Sequence, residues 1–85
     1  MEMRNCVAIN QKTLQNYPNV EAIPFTIFEL GKMGSQTMVM AVVASGDKII
    51  TDNKFNIGAN FDDACKNLLI TIKNKLGTDF IINTF

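Results

Sequence analysis

The sequence predicts an α+β fold: an antiparallel sheet of three to five strands with one long C-terminal helix and one short N-terminal helix. Three observations carry this expectation. From residue 25 to residue 51, apolar side chains recur at period two and are interrupted by glycine turns. From residue 60 to residue 77 the period changes to three or four, bracketed by an Asn and a Gly. A chain of 85 residues, 47% apolar and 19% charged, has room for a single domain, residues 1–85, with a thin core.

The elements follow in order. Met3 to Ile9 suits a strand or the lead-in to a short helix. Gln11 to Tyr17 is compatible with that helix, which stops at Pro18 because a residue before proline is pushed out of the α region. Phe25 to Leu30 reads as a short strand closed by a hairpin loop, Gly31-Lys32-Met33-Gly34-Ser35. Thr37 to Ser45 is the strongest strand, and Ser45-Gly46-Asp47-Lys48 turns it into Ile49-Ile50-Thr51. Asp52 to Asn56 reads as loop or frayed strand, and Phe55 to Ala59 as a loop at the edge of the core. Asn60 is a good N-cap, with Asp63 placed to close a capping box. Phe61, Ala64, Cys65, Leu68, Ile72 and Leu76 then form one apolar helix stripe, ended by Gly77. Asp62 and Asp63 in the first turn, and Lys73 and Lys75 in the last, suit the helix dipole. Asp79 to Phe85 alternates and forms a last strand.

The strongest strand is apolar on both sides. Val39, Ala41 and Val43 point one way; Met38, Met40, Val42 and Ala44 point the other. A helix about 24 Å long and about 10 Å across covers two or three strands spaced about 4.8 Å apart, on one face. The other face needs cover from the segment Gln11 to Ile23 or from another molecule. The expectation is association, in the form of a homodimer, with Met38, Met40 and Val42 as the candidate interaction face.

Several function classes are excluded or unsupported by composition. The chain has no His and two widely spaced Cys, so it holds no Ser-His or Cys-His pair and no zinc site of the usual ligand sets. Gly31 to Ser35 lacks phosphate-loop spacing, and the Asp pairs 47/52 and 62/63 have turn and capping roles. No catalytic residue, metal or cofactor is expected, and the reading is non-enzymatic. The longest apolar run, Met38 to Ala44, is far below the roughly 18 residues a membrane span needs. With Cys6 and Cys65 in apolar surroundings, a reduced cytoplasmic chain is expected.

The order strand, Gly hairpin, strong strand, tight turn, strand and Asn-capped helix resembles the double-stranded-RNA-binding domain, over about Leu14 to Leu76. Pro24-Phe25-Thr26-Ile27-Phe28-Glu29-Leu30 is similar to the Pro-x-Tyr-Glu-Leu opening of that family's first strand. Gly34-Ser35 before Thr37 resembles its Gly-Pro loop, and Gly58-Ala59-Asn60 followed by Ala64 falls where it has Gly-x-Ser-Lys-Lys-x-Ala-Lys. Phe61, Asp62 and Cys65 stand where the family's lysines grip phosphates. A ferredoxin-like βαββαβ order, with Met3 to Ile9 and Asp79 to Phe85 as extra strands, competes. The resemblance implies RNA as a partner. Lys12, Lys32, Lys54, Lys66 and Lys73 are the candidate contacts, with Lys66 and Lys73 seven apart on one helix face. Asn and Ile each occur ten times against one Arg, the mark of AT-rich codons such as many phages use. The functional expectation is a small RNA-binding regulator or inhibitor, of the phage counter-defence kind, acting on a host nuclease or toxin. The alternative is a protein-interaction inhibitor or dimerisation module that binds no nucleic acid.

Overall fold

The computed structural model describes residues 2–51 and 55–85. Strand β1 (Met3–Asn10) leads through a 3-10 helix (Gln11–Asn16) to β2 (Ala22–Met33) and β3 (Gln36–Ala41). The short strands β4 (Ala44–Ser45), β5 (Lys48–Ile49) and β6 (Asn56–Gly58) precede helix α1 (Phe61–Leu76), and β7 (Phe80–Thr84) closes the chain. Five strands form an antiparallel sheet in the order β6-β3-β2-β1-β7, and β4 pairs with β5 in a separate ribbon. The α+β class, the five-stranded sheet and the C-terminal helix match expectation.

The N-terminal half corrects it. Met3 to Ile9 is a strand and not a lead-in to a helix, with Cys6 opposite Phe25 on β2 and opposite Thr84 on β7. The expected short helix is one of the 3-10 type, six residues long, and buries no side chain. Local polar bonds explain this. The Asn10 carbonyl accepts from the Thr13 hydroxyl at 2.8 Å, and that hydroxyl accepts from the Glu21 amide at 2.8 Å. A segment this short, without an apolar stripe, gains nothing from lengthening into an α-helix. Because β1 and β2 are antiparallel neighbours, the βαβ crossover of a ferredoxin-like fold is absent as well.

Strand β2 runs past the predicted loop, so Gly31 to Met33 are strand and the hairpin turn is Gly34-Ser35 alone. Gly34 has a φ of 63°, which a side chain would resist. A bulge between Glu29 and Gly31 leaves Leu30 as the extra residue and half-exposed. The expected strand Thr37 to Ser45 breaks after Ala41, its last partner being Ile27. Continuing that register would set Ala44 against Pro24, which has no N–H for the ladder. The chain departs with Val43 still buried and tied by an Ile50 amide to Val43 carbonyl bond of 2.8 Å. Of the expected strand Ile49 to Thr51, only Ile49 is paired, in the small ribbon and not in the main sheet. Phe55 to Ala59 was expected as a loop, yet Asn56–Gly58 is an edge strand on β3.

Helix α1 has its expected bounds. The Asn60 side chain accepts from the Asp63 amide at 2.9 Å, and the Gly77 amide donates to the Lys73 carbonyl at 2.9 Å. Its stripe of Phe61, Ala64, Cys65, Leu68 and Ile72 is buried against Cys6, Ala8, Ile23, Phe25, Ile27, Val39, Ala41 and Val43. Burial pushes both thiols, Cys6 and Cys65, above the ordinary value, as expected of cysteines used as small apolar residues. Thr37 is the one buried polar side chain among the described residues, and its hydroxyl accepts from Lys32 Nζ at 2.7 Å.

Strand β6 meets α1 backbone to backbone. A Cβ on Gly58 would overlap the Ala64 nitrogen and lie 2.7 Å from the Asp63 carbonyl carbon. These are rigid atoms that cannot swing aside. Gly58→Ala is expected to lower stability by about 2 kcal/mol or more, because either β6 or the first turn of α1 must move. Urea unfolding of the variant beside wild type checks this; an unchanged midpoint would contradict the close approach.

Candidate interaction face

The alternation of each strand sends one set of side chains toward α1 and the other set away from it. On β1 the outward set is Met3, Asn5, Val7 and Ile9, since Cys6 and Ala8 are buried. Register then places Ala22, Pro24, Thr26 and Phe28 of β2 on the same side. Met38 and Met40 of β3, Ile57 of β6, and Ile81 and Asn83 of β7 complete it. None of these residues is buried, and no residue of the 3-10 helix is buried over them. The segment from Gln11 thus provides no cover. Met38 and Met40 lie on the face as expected; Val42, beyond the end of β3, is half-exposed at its margin.

The face has an internal order. Met3, Phe28 and Met40 are register partners and form one bulky row across β1, β2 and β3. Asn5 and Thr26 form the next row, where the Thr26 hydroxyl donates to Asn5 Oδ1 at 2.9 Å. Val7 with Pro24, then Ile9 with Ala22, make shallower rows beyond it. No position on the face carries a charge. Sequence reasoning on β3 found the two methionines but missed Val7, Ile9, Phe28 and Ile81, whose signal was the alternation of β1, β2 and β7, and Ile57, whose three-residue strand gave none.

The predicted RNA contacts do not converge. Lys12 sits in the β1–β2 connection, 3.4 Å from Asp79. Lys32 lies at the far end of β2, bonded to Thr37 on the helix side of the sheet. A strand of twelve residues, roughly 40 Å, separates these two regions. Lys66 and Lys73 share the exposed side of α1, and Lys66 pairs with Asp62 at 3.1 Å. Lys54 lies outside the described residues. Asp62 also pairs with Arg4 at 3.2 Å, and the Arg4 guanidinium lies 5.3 Å from the centre of the Phe61 ring. This cluster ties the start of α1 to β1 and places a carboxylate where a phosphate-gripping lysine was sought.

Other concave regions are open crevices on the helix side. One of about 520 Å³ is lined by Ile23, Ile49, Ile50, Leu76 and Phe80, with Glu21, Ser45, Lys48 and Lys75 also on its wall. Another of about 310 Å³ lies between Ala41, Phe55 and Leu68. No group of three or more His, Cys, Asp or Glu able to hold a metal occurs among the described residues. No helix among them is long and apolar enough to cross a membrane. Comparison with protein-family models, curated proteins and solved structures finds no match to the chain.

Hydrogen bonds from Lys66 and then Arg4 hold the Asp62 carboxyl below its usual range. The folded state therefore binds this proton less readily than the unfolded chain. Its contribution is present above the ordinary carboxylate range and is lost as pH falls through the lowered value. Asp62→Asn is expected to flatten the acid side of the stability curve without moving the neutral plateau much, the site being exposed. Denaturant midpoints between pH 2 and pH 6 in low salt measure this; identical acid limbs would contradict the cluster.

Proposed function

We propose that the chain is a small protein-interaction module that works by occupying another macromolecule with the helix-free face of its sheet. One observation carries the reading: five strands present an uncharged, largely apolar surface that α1 cannot reach. An apolar surface of this breadth marks association in small proteins. Its lack of charge suits a protein partner and not a phosphate backbone, which calls for lysine and arginine at the contact. The reading needs no catalytic group or cofactor.

A second reading retains RNA. The meander β2-β3-β6 followed by α1 keeps the order of a double-stranded-RNA-binding domain, and Lys66 and Lys73 lie exposed on one side of the helix. The strand at the N-terminus and the Asp62 pair with Lys66 count against it. A mobility-shift series on mixed single- and double-stranded RNA at low salt separates the two. The interaction reading expects no shift at micromolar protein, and expects capture of a protein partner that survives ribonuclease and is lost with Met3→Glu. A salt-sensitive shift abolished by Lys66→Glu with Lys73→Glu would replace it with the RNA reading.

A further inference from the structure

We infer that the helix-free face is occupied by a second copy of this chain, packed sheet to sheet about a two-fold axis. The inference rests on the proposed use of that face and names its partner. A two-fold interface sets a surface against itself, so every charge near the axis would face its own kind. This face carries none, while charged side chains are plentiful elsewhere on the chain. It can meet its copy without repulsion.

Its relief is self-complementary. The bulky row Met3-Phe28-Met40 lies on one side of the Asn5-Thr26 row, and the shallow rows Val7-Pro24 and Ile9-Ala22 lie on the other. A two-fold axis running across the strands along the Asn5-Thr26 row lays Met3 and Phe28 over Val7 and Pro24 of the other copy. Large against small is the arrangement that fills an interface between two sheets about 10 Å apart.

The polar row at the axis is compatible with burial. Thr26 already donates to Asn5 Oδ1, which leaves the Asn5 amide nitrogen to donate. At a two-fold axis the two Asn5 side chains face each other and can exchange that bond. A single polar pair inside an apolar contact fixes register, as a buried Asn does in paired helices.

Sedimentation equilibrium on the full chain from about 1 to about 200 μM is the test. Wild type is expected to form a dimer of twice 9.4 kDa at the upper end. Met3→Glu and Asn83→Lys both change exposed face positions and leave the core intact. Each is expected to weaken association about tenfold or more with an unchanged circular-dichroism spectrum. Ile70→Glu, exposed on the outer side of α1, is expected to leave it unchanged. A wild-type monomer throughout, or a dimer indifferent to both face variants, overturns the second-copy inference. Should a monomeric wild type still capture a ribonuclease-resistant partner that Met3→Glu loses, the interaction reading stands while this inference falls.

Discussion

The seating of the α1 stripe from Phe61 to Ile72 on the inner sides of β1, β2 and β3 is the contact on which the rest of the structure depends. Among the described residues, thirteen buried apolar side chains make up the core, and five of them come from this one helix. Each large side chain so buried contributes about 1.5–3 kcal/mol against the ordering of the chain. A core this small tolerates little looseness at its edges. Gly58 accordingly lets β6 approach α1 directly, and the Arg4–Asp62–Lys66 cluster fastens the helix start to β1.

The dimensions of that contact determine the outside of the molecule. A helix about 10 Å wide covers one side of the sheet and cannot reach the other. Charge is placed accordingly: on the exposed side of α1, in the connections, at strand ends and, with Arg4 and Glu29, on the helix side of the sheet, but nowhere on its outward positions. The described lysines that suggested RNA contacts follow this distribution: Lys12 in the β1–β2 connection, Lys32 near the end of β2, and Lys66 and Lys73 on the helix. The outward face instead keeps Met, Val, Ile, Phe and Pro with one satisfied polar row. That combination is what the proposed contact with protein rests on.

Helix α1 could be read from the chain to the residue, because stripe, N-cap and terminating glycine agreed. The alternation of Val39, Ala41 and Val43 was also legible, and these are the buried positions of β3 and its extension. Three features were not. Pro24 on a neighbouring strand bars the ladder from reaching Ala44, which no local pattern near Ala41 reveals. Strand β6 is three residues long and its Gly58 is required by contact with α1, so its local sequence resembles a loop. The N-terminal segment became a 3-10 helix because Asn10 and Thr13 side chains took its backbone partners. The methionine part of the candidate face was visible on β3. Its full width appeared only when register brought β1 and β7 alongside.

Methyl NMR across a dilution series measures the two sides of the sheet in one experiment. The methyl signals of Met3 and Met40 are predicted to shift and sharpen together on dilution from about 200 to about 5 μM, as the dimer dissociates. Those of Ile27 and Ile72, both enclosed between sheet and helix, are predicted to hold still. Methionine signals that stay fixed throughout, or Ile27 and Ile72 signals that move with them, would contradict a sheet closed on one side and built for association on the other.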